Sequence, residues 1–552
     1  MPIHRTQVRK PVLLGRLSAA LGDHPRRALA AVAAAGALVS TLLLPWAMPL
    51  GWDELVYATR FPSYADGLDV EFSAPRTRGV PLLLAPVALW SDSVVLLRLW
   101  LTLLWPAALY LGFLPWLRIL RPNAVVVAAA CYTSIWSVLF YAAQAMPNHY
   151  TAMGTLAAVG CLVPRQATFA PSRRPARTLA APAESPSTSS TRTSGRHAES
   201  THQTPLLGGR TLPDAAPAHR TRTPLSYAGI VTGLAMATLM RPNDGAWAAL
   251  PLFAALVVVP AWRSRATAAA VMGGVAAGLL PWIVEAELRF GSVAHRLSEA
   301  SEVQGGLRPV FALPWHVAAL DGRLLCRPCD ADAVTWQGVS LWLLLIPLAA
   351  LGVWAAGRPA PGAATDDTAS GARRAVRLAV ITAGCTAAPY FFLVPYAAPR
   401  FLFPSYALLA PPAALGLLCL RDAVRRSRSR TRGRFVPRAA GLLAAAVLTA
   451  HVLGQVLLAY GHGRIQEQGR LDWERVARVL HDQGVRTPCT LGSHASRVPL
   501  AYTAGCQPTK GRQPDAYVLL DHEPPRWARD WPRHSVPGAH DKGWSVLVRP
   551  GP

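Results

Sequence analysis

Two adjacent carboxylates, Asp53 and Glu54, follow directly on the first long apolar run, in Gly51-Trp-Asp-Glu-Leu-Val-Tyr57. Ionisable groups at a membrane boundary are costly unless they face water or a partner, so such a pair is read first as a functional site. The plain alternative is that it marks where a helix leaves lipid. Basic residues further along weigh against that. Ser73-Ala-Pro-Arg76-Thr-Arg78-Gly-Val-Pro81 comes next, and Arg241-Pro-Asn243-Asp244, His295-Arg296 and Pro399-Arg400-Phe401 stand at later breaks between apolar runs. Singly, each has an ordinary explanation: Arg241-Pro ends a short helix, His149 in Pro147-Asn148-His149 is a hydrogen-bonded interfacial histidine, and Arg400 stops a span. Jointly, carboxylates with four or five arginines on one side of a bilayer suit an anionic lipid phosphate, because guanidinium forks match phosphate oxygens. Arg76, Arg78, Arg400, Arg241 and Arg296 are therefore the phosphate candidates. Tyr57, Asn148, His149 and Asp244 are the polar candidates for a sugar or an acceptor.

The elements that must hold these residues are apolar helices. Of 552 residues, 52% are hydrophobic and only 15% charged, and the apolar runs recur at near-spanning length. This composition predicts an all-α polytopic membrane protein. The formal charge of +25, from 55 basic and 30 acidic residues, is spread over short basic segments between apolar runs. That is the pattern of cytoplasmic loops facing anionic lipid, and nucleic acid is the weaker explanation. The basic leader 1–27 precedes an apolar run without a small-residue cleavage pattern, which reads as an anchor.

Spans are expected near 28–49, 93–117, 124–142, 149–164, 226–240, 246–262, 266–285, 338–357, 377–395, 404–420 and 439–460. An odd count of about eleven puts the termini on opposite sides. Arg26 and Arg27, Arg118 and Arg121, the linker 165–225, Arg263 and Arg265, Arg373 to Arg377, and the arginines from Arg421 to Arg438 then share one face. The positive-inside rule makes it cytoplasmic, with the N-terminus. The other face holds loops 50–92 and 286–337 and the C-terminal tail. The expected organisation is a first membrane half over 28–164, a disordered linker over 165–225 rich in Ser, Thr, Pro and Arg, a second half over 226–460, and an outer domain over 461–552. In that tail, 471–480 has helical spacing, and 516–520 and 544–548 look like buried strands, predicting a small α/β lobe of about ninety residues.

Cys131, Cys161, Cys385 and Cys419 fall in spans, as small apolar residues. Cys326 with Cys329, and Cys489 with Cys506, fall on the outer face, where disulfides persist, and two bridges, Cys326–Cys329 and Cys489–Cys506, are expected. Cys326-Arg-Pro-Cys329 could also be a redox pair or half a zinc site, but no partner with matching spacing stands nearby.

Together these features resemble the membrane-embedded GT-C glycosyltransferases, in particular the protein-mannosyltransferase and aminoarabinose-transferase type. The resemblance rests on the acidic pair after the first span, the Arg/Pro segment after it, the long outer loop before the late spans, the Tyr396-x-x-Pro-Arg-Phe-Leu-x-Pro404 element and the small outer lobe. It covers most of 28–460. It implies a polyprenyl-phosphate-linked sugar as donor, a cell-envelope acceptor (protein, glycan or lipid) and transfer at the outer membrane face. Asp53 matches the family's general base on the acceptor hydroxyl, and Glu54 would orient the acceptor or assist a divalent ion. A Mg²⁺ or Mn²⁺ site on Asp53 and Glu54 would need only one or two protein ligands plus waters. The family's usual His-Pro-Pro-type element is replaced here by Arg76-Thr-Arg78-Gly-Val-Pro81. A base near headgroup depth is expected to have its pKa raised by desolvation. The principal rival is a transporter or flippase for a lipid-linked saccharide. It would call for internal repeats with matched broken helices, and no second copy of the acid/arginine pattern exists.

Overall fold

The structure is a computed structural model that describes residues 24–163, 223–321, 324–325, 336–358, 366–430 and 435–550. Most of the basic leader, nearly all of the linker 165–225 and the Cys326–Cys329 pair lie outside the described residues.

Local signals set the helix starts. Proline occupies the first turn of α1 (Pro25–Leu43), α5 (Pro122–Thr133), α7 (Pro224–Met240) and α8 (Pro242–Val258), where its missing N–H costs nothing. Ser93, Ser264 and Ser292 cap α4 (Val94–Phe113), α9 (Arg265–Phe290) and α10 (Val293–Val303) by accepting the N–H groups of Leu96, Thr267 and His295. The remaining long helices are α6 (Asn148–Leu162), α11 (Trp336–Ala356), α12 (Asp366–Phe392), α13 (Phe403–Arg430) and α14 (Phe435–Asp482). A helix stands at each expected span, the third being completed by a short helix, Trp136–Phe140. Among the described residues, seven helices are long and apolar enough to cross a bilayer by length and composition alone. This is a multi-pass helical membrane protein. Helices α6 and α7 meet through Gly154 and Gly233, where a Cβ on either would collide with the other's backbone.

Two short helices of the first loop carry the sequence motifs. Helix α2 (Trp52–Ala58) bears the acidic pair, and α3 (Gly79–Ala88) is the short apolar segment after Arg78. The 48 residues of α14 would run about 72 Å, more than twice a hydrocarbon core. The expected last span and the expected helix at 471–480 are thus one continuous rod.

That rod carries the C-terminal lobe. Strands β1 (Thr490–Ser493), β2 (Gln507–Pro508), β3 (Ala516–Leu520), β4 (Arg533–Ser535) and β5 (Trp544–Val548) form one sheet in the order β2-β1-β3-β5-β4. The β2-β1-β3 pairs are parallel and the β3-β5-β4 pairs antiparallel. A disulfide joins Cys489 to Cys506, while Cys131, Cys161, Cys385 and Cys419 are unpaired. The lobe sits on the first loop. Gln507 donates to Gly67 O at 2.7 Å and accepts from Asp69 N at 2.8 Å, and Val498 is buried in the same apolar cluster as Leu50, Leu55 and Tyr57.

Candidate functional site

Helix α2 is preceded by its N-cap Gly51, whose N–H donates to Glu54 Oε2 at 2.9 Å. This first-turn arrangement puts two carboxylates at a helix N-terminus, where the macrodipole favours them. Being consecutive, the two side chains diverge.

Asp53 keeps 29% of its side chain exposed. Arg76 Nη2 donates to one oxygen at 2.7 Å and Arg400 Nη2 to the other at 3.1 Å. Arg400 comes from 347 residues away, from the short 3₁₀ turn Pro399–Leu402 before α13. Its other nitrogen donates to Tyr141 Oη and Leu324 O, both at 3.0 Å. Arg76 stacks over Tyr57, 5.0 Å from the ring centroid. Arg241, between α7 and α8, stands near enough to add to the positive field at Asp53. It also pairs with buried Asp244 at 3.1 Å, donates to Tyr390 Oη at 2.6 Å and lies over the Phe401 ring. Tyr390 in turn donates to Asp244. The loop carrying Arg76 is fixed where Thr77 Oγ1 donates to Met240 O at 3.0 Å. Gly79 next to it lies so close to α7 that a Cβ would sit 2.7 Å from Leu239 O.

Burial alone would push the Asp53 carboxyl up, but Arg76 and Arg400 outweigh it and hold it below the usual carboxylate value. The expectation of a raised pKa is therefore corrected: desolvation is present, and two guanidiniums overturn it.

Glu54 is fully buried. Arg98 of α4 grips both its oxygens, Arg470 of α14 donates at 3.0 Å, and the Gly51 and Ala145 N–H groups donate at 2.9 Å each. A Cβ on Gly51 would lie 2.8 Å from Arg470 Nη2, so glycine is what admits this arginine. Burial would raise the Glu54 carboxyl, yet Arg98 and Arg470 bring it down to about 2. Every acceptor position is taken by donors inside the protein. Glu54 therefore has no oxygen left to orient an acceptor or to bind a cation. A divalent ion shared by Asp53 and Glu54 does not fit this donor set, since guanidiniums flank both acids. Among the described residues no three His, Cys, Asp or Glu side chains converge.

The phosphate candidates divide in two. Arg76, Arg400 and Arg241 gather at Asp53. Arg78 and Arg296 instead belong to a second cluster on Glu285, with Arg78 at 2.5 Å, Arg289 at 2.8 Å and Arg296 at 3.1 Å. Arg296 is fully buried and also donates to Ala74 O, Trp282 O and Arg76 O, which makes it a fastening for the Arg76 loop. His149 is in the core, stacked on Trp105 and bonded to Tyr132 Oη and Trp105 O, and Asn148 is likewise buried.

Arg98, Arg470, Tyr141 and Tyr390 are absent from the sequence-derived candidates. For Arg98 a signal existed: it is a lone arginine inside Val94-Val-Leu-Leu-Arg-Leu-Trp-Leu, and such residues in spans are normally paired. Arg470 has no local signal.

No family model matches the chain, and no curated protein matches it. Solved structures do. ArnT from Cupriavidus metallidurans bound to undecaprenyl phosphate aligns over 94% of this chain and 98% of its own, with TM-score 0.57 and 13% identity. The chain has the GT-C glycosyltransferase fold. The apo form of the same ArnT gives 0.55 over 93% and 97% at 13% identity. An oligosaccharyltransferase from Archaeoglobus fulgidus, tethered to an acceptor peptide, gives 0.48 at 11% identity over 88% of this chain and 64% of that one.

Proposed function

We propose that this GT-C chain is an integral membrane glycosyltransferase that moves a sugar from a polyprenyl-phosphate donor to a hydroxyl of a cell-envelope acceptor. In this reading the face carrying Asp53 is the outer one, the N-terminus is cytoplasmic and the lobe is extracytoplasmic. The observation that carries it is the meeting of Asp53, Arg76 and Arg400, a base beside two phosphate-matching forks. The fold shared with an ArnT bound to undecaprenyl phosphate supports the donor class.

The chemistry is a single displacement. Asp53 takes the proton of the acceptor hydroxyl as its oxygen bonds to the anomeric carbon. The bond from that carbon to the phosphate oxygen breaks, and the lipid phosphate leaves with the electron pair and the opposite configuration results. Arg76 and Arg400, with Arg241 behind them, take up the charge on the departing phosphate. In the resting arrangement these same arginines keep Asp53 a weak base. A donor phosphate that draws them off raises its basicity when a substrate is in place. Arg78, with Arg289, extends the cationic surface along the loop. Glu54 serves this site indirectly, by fixing the first turn of α2.

The test is reconstitution of the full chain with a radiolabelled polyprenyl-phosphate sugar and an envelope extract. Asp53→Asn is expected to abolish transfer with donor binding retained, and Arg400→Ala to weaken donor binding. Labelled lipid crossing the bilayer with no transfer would instead favour the flippase.

A further inference from the structure

A second feature lies at the opposite end of the bundle. Helix α6 begins three residues after Ala145, whose N–H holds Glu54, and its 15 residues carry it about 20 Å away. Along that length α4, α6 and α7 leave a cleft of about 690 Å³ that runs from Tyr150 down to Arg118 and Arg26. Its walls are small or apolar side chains such as Leu111, Ala157 and Met236. It opens on the lipid-facing surface, where Leu111 and Leu225 are 60% and 80% exposed.

The charge in this cleft is one-sided. Arg118 is half-buried, and its bonds go to neutral groups: Ser226 Oγ at 3.1 Å, Pro115 O at 3.4 Å and Cys161 Sγ at 3.6 Å. Arg26 stands exposed at the same mouth. Among the described residues, no acidic side chain lines the cleft and neither arginine has a carboxylate partner. An apolar slot whose mouth carries two guanidiniums with no carboxylate among the described residues is complementary to one kind of molecule, a lipid with an anionic head.

We propose that this cleft binds an anionic glycerophospholipid of the leaflet opposite Asp53, its phosphate on Arg118 and Arg26 and one acyl chain along α6 toward Tyr150. The head fits because guanidinium–phosphate bonds are charge-assisted and strengthen at low dielectric. The chain fits because burying it removes apolar surface of both slot and lipid from less well-packed contacts. Occupancy would brace α6 against α4 and α7, and α6 leads back to the Ala145 turn. The site is separate from the donor site and does not depend on the glycosyltransferase reading.

The experiment is native mass spectrometry of the full chain, released from nanodiscs containing phosphatidylglycerol or phosphatidylcholine, with glycerol phosphate as the free-headgroup arm. Wild type is expected to retain one phosphatidylglycerol in preference to phosphatidylcholine, and to hold no glycerol phosphate. R26Q/R118Q should lower phosphatidylglycerol retention by about tenfold, the worth of one charge-assisted contact. Ala157→Phe, which fills the slot, should lower retention of either lipid. The charge-matched control R374Q/R377Q, exposed arginines on α12, should leave retention unchanged. Equal retention of both lipids by wild type would overturn the proposal. So would an equal loss in the control, undiminished retention in both cleft variants, or glycerol phosphate binding as well as the lipid.

Discussion

Asp53 and Glu54 are neighbours on one helical turn, and they meet the same kind of partner, two arginines each. Their environments nevertheless assign them opposite work. Asp53 keeps 29% of its side chain open and, among the described residues, accepts only from Arg76 and Arg400, so in the proposed reading an arriving phosphate can compete for both. Glu54 is sealed and receives donors from Gly51, Arg98, Ala145 and Arg470, which brings α2, α4, the turn before α6 and α14 to one point. What separates an exchangeable ion pair from a permanent one here is backbone donation and access to water, and the side-chain types alone do not distinguish them.

Neutralising each acid in turn separates the two roles. Asp53→Asn should cut transfer by about 10²–10⁴-fold, the range for a lost general base, while lowering the melting temperature less than Glu54→Gln does, because its arginines stay partly open to water. Glu54→Gln should do the reverse. Leaving Arg98 and Arg470 buried without their counter-charge should destabilise the fold by about 3–5 kcal/mol, read as a lowered melting temperature and poor expression. If Glu54→Gln melts like wild type and loses only transfer, Glu54 is a reacting group and the division is wrong.

Arg400→Ala should be intermediate. It removes a charged hydrogen-bond donor from the proposed phosphate site and should weaken donor binding by about tenfold or more, measured by titration with polyprenyl phosphate. Arg470→Ala should cost about 1–3 kcal/mol of stability, because Arg98 still covers Glu54. Its transfer rate should fall with donor binding intact, and Arg470→Lys should restore part of it.

The smallest effect concerns pH. The Glu54 carboxyl falls from an ordinary 4.5 to about 2 on folding, so its contribution to stability is complete above pH 4.5 and is lost as pH drops toward 2. Wild type should therefore lose melting temperature in that window through this group, and Glu54→Gln should lack this component. Asp53 is also held low in the free protein, so kcat/KM for transfer should not decline on the acid side until below the usual carboxylate range, and saturating donor, by drawing the arginines off, should move the decline of kcat to higher pH.

Much of the frame was legible because it depends on local patterns. The apolar runs located the helices, and the buried pentapeptides 516–520 and 544–548 became β3 and β5. Strands β1, β2 and β4 were missed: Thr490-Leu-Gly-Ser493 offers one large apolar residue, and β2 is two residues long. Asp53 and Arg400 could be paired in thought because both break apolar runs on the same side. The fate of Glu54 could not be read. Its partners are supplied from 44, 91 and 416 residues away, and only the folded chain brings Arg470 against Gly51. Likewise Arg76 and Arg78 look equivalent in sequence, and the turn between them sends one to Asp53 and the other to Glu285.

The central claim, that Asp53 and the forks of Arg76 and Arg400 form one donor site, is tested most directly by an electron cryomicroscopy structure of the full chain with polyprenyl phosphate. Phosphate density is expected within hydrogen-bonding distance of Arg76 and Arg400, with at least one of them withdrawn from Asp53. Phosphate density bound elsewhere, with both arginines still on the Asp53 carboxylate, would contradict it.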